Sequence, residues 1–221
     1  MTEPTYDPID RRPIQSRNTR WAETVAQFLV NLGLSPNTIS ILGMLAAVAA
    51  GVTFASTDVS AGSAQRALWL IGGILCQVRL LCNMFDGMVA VKRGVASPKG
   101  ELYNEVPDRV SDAAVLVGLG YSAGGDIAIG YLAALVSVFV AYVRAAAKSI
   151  GAPNDFCGPM AKPQRMALAT VLAVYMAFSP VSWRLPWGEP TGVLVIVIVG
   201  GIVTALRRLI RAGKHLAGPA Q

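Results

Sequence analysis

Residues 67–91, Ala-Leu-Trp-Leu-Ile-Gly-Gly-Ile-Leu-Cys-Gln-Val-Arg-Leu-Leu-Cys-Asn-Met-Phe-Asp-Gly-Met-Val-Ala-Val, decide the fold. Only two residues in this run are charged, Arg79 and Asp86. A helix needs roughly 20 apolar residues to cross the hydrocarbon core of a bilayer, and this run exceeds that length. It reads as a spanning helix with its ionisable groups gathered toward one end. An ionisable residue inside a span is costly and is by default a sign of function.

Outward from that run, five further stretches have spanning or near-spanning length, at about 37–56, 105–123, 126–148, 162–181 and 190–207. The one at 105–123 is the least apolar, because Asp108, Arg109 and Asp112 lie in it. The whole chain of 221 residues is 53% hydrophobic and 14% charged, against about 25% charged in a soluble domain. The expected fold is therefore all-α and integral to the membrane, with six transmembrane helices preceded by an interfacial amphipathic helix. We divide it into an N-terminal cytoplasmic segment (1–33), a six-helix domain (34–211) and a cytoplasmic tail (212–221).

Basic residues set the orientation. Arg11, Arg12, Arg17 and Arg20 precede the first span, and Lys92, Arg93 and Lys99 separate the second from the third. Lys148 and Lys162 flank the connection from the fourth to the fifth, and Arg207, Arg208, Arg211 and Lys214 follow the last. The opposite connections hold only Arg66 and Arg184, with Trp183 and Trp187 suited to the far interface. The positive-inside rule then puts both termini in the cytoplasm. The formal charge of +6 reads as attraction to anionic lipid head groups, with no nucleic-acid partner expected. The first ~35 residues lack the apolar core of a cleavable signal peptide.

Residues 18–33 have Trp21, Val25, Phe28, Leu29 and Leu32 at helical spacing, with Gly33 as a stop and Ser35-Pro36-Asn37 as a restart. This is the pattern of a helix lying in the membrane interface, or of an ordinary helix packed on the bundle. Cys76 and Cys82 fall in an apolar run and, with Cys157, make an odd count; they read as core residues rather than a disulfide frame. His215, the sole histidine, sits in the tail, which excludes a histidine metal site or a Ser-His triad.

The chemistry concentrates around the end of residues 67–91. Positions three or four apart share a helix face, so Asn83, Asp86 and Ala90 line one side of the second span. Asn104, Asp108 and Asp112 make a second stripe at the start of the third. A short connection makes the two spans antiparallel neighbours with facing stripes. Their oxygens suit Mg²⁺, Mn²⁺ or Ca²⁺, and Gly87, Ala90 and Gly100 leave room for close approach.

This stretch resembles the signature of the CDP-alcohol phosphotransferase (CDP-alcohol phosphatidyltransferase) family, D-x2-D-G-x2-A-R-x8-G-x3-D-x3-D. Asp86-Gly87, Ala90, Gly100 and Asp108 fall in register with it. Leu34 to Gly43 resembles the family's entry to its first span. Tyr142-Val-Arg144-Ala145 and Gly158-Pro-Met-Ala-Lys162-Pro-Gln-Arg165 resemble the basic segments of its phosphatidylinositol-type members. Three positions depart from the pattern: Asn83 and Asn104 replace acids, and Val91 replaces arginine. An asparagine offers a carbonyl oxygen without charge, so divalent binding should be weaker. Asp112, Glu101 or Glu105 could compensate, and Arg79 could stand in for the missing cation or pair with Asp86.

The resemblance implies transfer of a phosphatidyl group from CDP-diacylglycerol, or another CDP-alcohol, to an alcohol with release of CMP. It implies Mg²⁺ or Mn²⁺ as cofactor, Asp86 and Asp108 as catalytic residues, and Asp86, Asp108, Asn83, Asn104 and Asp112 around the metal. Gly87, Ala90 and Gly100 would shape the nucleotide site. Arg144, Lys162 and Arg165 would hold the acceptor, the site would face the cytoplasm, and the chain would form a homodimer. Two other functions fit the same residues: a degenerate relative that binds a CDP-lipid without turnover, and a small transporter with Asp86 and Asp108 as a polar relay.

Overall fold

A computed structural model describes residue 17, residues 19–95 and residues 98–217, without the side chains of residues 98, 99, 101 and 102. The expectations for Arg11, Arg12 and the rest of 1–16, for residues 218–221, and for the side chains of Lys99 and Glu101 lie outside the described residues. Those residues form seven α-helices and no strand: α1 (Arg20–Asn31), α2 (Pro36–Ala55), α3 (Gly62–Lys92), α4 (Pro98–Gly120), α5 (Ile127–Ser149), α6 (Lys162–Phe178) and α7 (Glu189–Leu216).

Four helices, α2, α3, α5 and α7, are long and apolar enough to cross a membrane. The other two stretches expected as spans are also helices, but α4 carries the charges of the site and α6 has only 17 residues. The decisive run lies within α3, which starts earlier, at Gly62. The last helix continues past 207 to Leu216.

Local chemistry places the breaks at the charged end of the bundle. Ser35 caps α2, its hydroxyl accepting from the Thr38 N–H at 3.1 Å, with Pro36 at the first helical position. After α3, Gly94 takes φ +63°, and its N–H donates to the Val91 carbonyl while the Val95 N–H donates to Ala90, each at 3.0 Å. This left-handed cap satisfies the last carbonyls of α3 and turns the chain toward α4.

The helices pack in a ring. α2 lies between α3 and α4; α3 continues to α6, α4 to α5 and α5 to α7, and α7 touches α6 and α4. The expectation that the second and third spans pack as direct neighbours is thus corrected. α3 and α4 are not among the closely packed pairs; α2 sits against both, and they meet through long side chains. The physical reason is the small-residue surface of α2 and α4. A Cβ on Gly118 would lie 2.3 Å from the Gly51 carbonyl oxygen, and one on Gly51 would lie 2.3 Å from that of Ala114. Only glycine at both positions lets these backbones approach so closely.

The core sits at the opposite end of α3. Phe54 packs on Trp69 with ring centroids 5.4 Å apart, against Cys76, Leu116 and Met176. Gly120 packs against Gly130 of α5, whereas Gly124 lies beyond the end of α4, so these two glycines do not form one packing stripe on α4.

The apolar stripe expected on the first helix is divided. Ala22 and Ala26 are buried against Met84, Phe85 and Val89, with Val25 and Leu29 packed beside them, while Phe28 and Leu32 stay exposed. Trp21 meets the Phe85 ring edge-on at 6.0 Å.

Candidate functional site

Asp86 is buried on α3. Its Oδ2 accepts from the Ser40 hydroxyl of α2 at 2.8 Å, and its Oδ1 accepts from the Gly87 N–H at 2.5 Å. The ion pair with Arg79 weighed above does not form. Among the described residues, no lysine or arginine nitrogen lies within 4.0 Å of Asp86. Both donors to this buried carboxylate are neutral, so it has no directly paired cation.

Arg79 crosses instead to α4. Its guanidinium donates to Asp108 Oδ1 at 2.9 Å and lies 3.8 Å from Asp112 Oδ1. Asp112 is fully buried, and its Oδ2 accepts from Arg165 of α6 at 2.5 Å. Arg165 also donates to the Met160 carbonyl at 2.8 Å. Lys162, the first residue of α6, places its ammonium against both Asn83 Oδ1 and Asp108 Oδ2. Two arginines and a lysine therefore tie α4 to α3 and α6, helices against which it is not closely packed.

The remaining sequence candidates divide into two sets. Asn104 is half-buried on α4, and its side chain makes no hydrogen bond among the described residues. Gly87 and Ala90 follow Asp86 on α3, and Gly100 lies in the first turn of α4, all half-buried. Arg144 of α5 pairs with Glu105 and lies over the Phe156 ring at 5.2 Å. Glu105 also pairs with Arg109 at 3.2 Å. Asp112 likewise belongs to Arg165 and Arg79.

Three contributors escape the motif. Ser40, the donor to Asp86, sits in an ordinary Thr-Ile-Ser turn of the first span, and nothing in its spacing singles it out. Phe156 lies in a loop. Arg208, buried on α7, donates to the carbonyls of Cys157 at 3.0 Å and Val140 at 3.1 Å; its signal was the basic cluster after the last span, read above for orientation only. The loop it anchors is further fixed by the Met160 N–H donating to Thr204 at 3.0 Å. In that loop burial pushes the Cys157 thiol up, and the adjacent Asp155 carboxylate adds to the effect. For Asp155 burial also acts upward. Hydrogen bonds from Cys157 and the nearby Arg211 and Arg208 outweigh it and hold the carboxyl below its usual range.

The family model described as CDP-alcohol phosphatidyltransferase matches residues 33–212. The chain is 27% identical over 215 residues to the phosphatidylinositol phosphate synthase of Streptomyces avermitilis, covering 90% of this chain and 80% of that one. It is 29% identical over 210 residues to the Mycobacterium tuberculosis enzyme of the same name, covering 91% and 90%. To the archaetidylinositol phosphate synthase of Pyrococcus horikoshii it is 24% identical, covering 88% and 92%.

Among solved structures it resembles the M. tuberculosis phosphatidylinositol phosphate synthase with CDP-DAG bound. The TM-score is 0.72 at 24% identity, over 88% of this chain and 94% of that one. The same enzyme in complex with manganese and citrate gives 0.70 at 24% identity, over 89% and 90%. These two likenesses establish the fold. With the family match spanning from before the first long helix to near the end of α7, the chain belongs to the CDP-alcohol phosphatidyltransferase family, transferases of phospholipid synthesis.

Proposed function

We propose that this chain transfers a phosphatidyl group from CDP-diacylglycerol to a phosphorylated polyol of the inositol phosphate class, releasing CMP. One observation carries the reading. Asp86, a buried carboxylate with no cation of its own, shares one end of the bundle with Asp108 and with the cations of α5, α6 and α7. The names of the relatives support the acceptor class.

The donor set suits a hard divalent ion, Mg²⁺ or Mn²⁺: Asp86 and Asp108 supply charge, and Asn83 and Asn104 supply amide oxygens. Such an ion, when bound, neutralises the diphosphate so that CMP can leave. Gly87, Ala90 and Gly100 flank this set without side chains that would crowd a nucleotide. Asp108 takes the proton of the acceptor hydroxyl as its oxygen bonds to phosphorus, and the bond from that phosphorus to the CMP oxygen breaks, its electron pair leaving with CMP. Arg79 keeps Asp108 oriented from α3. Arg144, Lys162 and Arg165 hold the acceptor's phosphate, with Arg208 fixing the loop beside them. Six spans, both termini in the cytoplasm and a homodimer complete the reading.

The test is CMP release from CDP-diacylglycerol by the purified protein with Mn²⁺, comparing inositol phosphate, glycerol phosphate and unphosphorylated inositol. Turnover with a phosphorylated polyol that Asp108→Asn removes is the expected result. No CMP release with any acceptor would overturn the reading. The amides at Asn83 and Asn104 favour one alternative, a relative that binds the CDP-lipid without turnover; CDP-lipid binding in the absence of any CMP release would establish it.

A further inference from the structure

We propose that Lys162 is a built-in counter-cation that competes with the divalent ion for its own ligands. The ammonium bridges Asn83 Oδ1 and Asp108 Oδ2, two of the oxygens assigned above to the metal, and the inference rests on that assignment. A primary ammonium and a hard divalent ion seek the same oxygens, and two cations cannot share them at close range in a site of low dielectric.

The charge count makes the competition decisive. With Lys162 in place, Asp86, Asp108 and Asp112 already stand among Arg79, Lys162, Arg165 and, 3.8 Å from Asp108, Arg109, so a divalent ion enters a cluster that has no carboxylate to spare. Arg79 and Arg165 are both buried and tied to carboxylates on α4, with Arg165 also bound to a backbone carbonyl. Lys162 is the movable member. It stands at the first residue of α6, on a flexible stem, with a compact head. Asn83 explains why the lysine can lodge there: the amide oxygen accepts a hydrogen bond from the ammonium without the charge that would hold a divalent ion against it. Metal entry therefore expels Lys162 and frees its three N–H donors for phosphate oxygens of the substrates.

The experiment is Mn²⁺ binding by calorimetry to the full chain in detergent, for the native sequence, Lys162→Met and Asp86→Asn. Lys162→Met should bind Mn²⁺ about tenfold or more tightly than the native chain. Unchanged or weaker binding by Lys162→Met, with Asp86→Asn still abolishing it, would overturn the competition and leave the metal assignment standing. Binding that Asp86→Asn does not alter would instead overturn the metal assignment, and the inference with it. A second measurement needs no variant: acylation of the Lys162 amine in the native chain, read by mass spectrometry, should rise several-fold on Mn²⁺ saturation. Labelling that ignores saturating Mn²⁺ would overturn the proposal.

Discussion

The two halves of α3 obey different rules. Toward its start, Trp69, Gly72 and Cys76 are buried in a close-packed apolar core. A Cβ on Gly72 would sit 2.4 Å from the Phe54 ring. Volume decides what is allowed there, since lipid and core are equally apolar and close packing supplies the attraction between helices. Toward its end, Arg79, Asn83 and Asp86 meet polar side chains of α4, α6 and α2 respectively, and charge decides. One half is governed by volume, and the other by which charges and dipoles come within reach. A single helix thus presents a rigid wall and a polar wall, and the first holds the second in place.

The sharpest way to break this comparison is in the charged half. Asp108→Asn should lower the rate of CMP release by about 10²–10⁴-fold, the usual range for a proton-transferring group, and steady-state kinetics on folded protein would measure it. A variant with native rate would remove Asp108 from the chemistry. Next comes Arg79→Met, which leaves Asp108 with Lys162 and the more distant Arg109, and Asp112 with Arg165 alone. Breaking a buried pair in this way costs about 3–5 kcal/mol, to be read as lost resistance to denaturant in detergent. Arg79→Lys should recover only part, because one ammonium cannot reach two carboxylates as the planar guanidinium does.

Gly72→Ala sharpens the contrast from the other side. Overpacking against Phe54 should cost about 1–3 kcal/mol of stability and leave the turnover of the folded fraction unaltered; a large fall in turnover alone would show that the two halves are coupled. Asn83→Asp restores one charge to the site, and Mn²⁺ titration should show about tenfold tighter binding, equivalent to about 1.4 kcal/mol. The smallest effect lies in the loop before α6. Burial and the neighbouring Asp155 carboxylate keep the Cys157 thiol protonated, so maleimide labelling near pH 7.5 should be slow. It should quicken several-fold in Asp155→Asn, which removes the neighbouring negative charge.

Much of this was legible in the order of residues. Helix length and apolar content depend on local composition, so the long spans followed from runs such as 67–91. Ser35-Pro36 and Gly94 placed breaks because capping and left-handed backbone are chemistry of one or two residues. The signature singled out Asp86 and Asp108, and helical spacing grouped each with the polar residues on its own face. Spacing does not say which helices touch. Gly51 and Gly118 brought α2 against α4 and left α3 facing α4 across a gap, a result of backbone approach between residues distant in sequence. The pairing of charges followed from that gap. Arg79 reaches Asp108 rather than Asp86, Lys162 lodges on Asn83, and Ser40 serves Asp86. The sequence alone determined a membrane-bound helical protein with a half-amide version of an acidic motif. Only the tertiary structure decided which cation answers which acid, because electrostatic partners are chosen by distance in space and by what water or lipid is excluded between them.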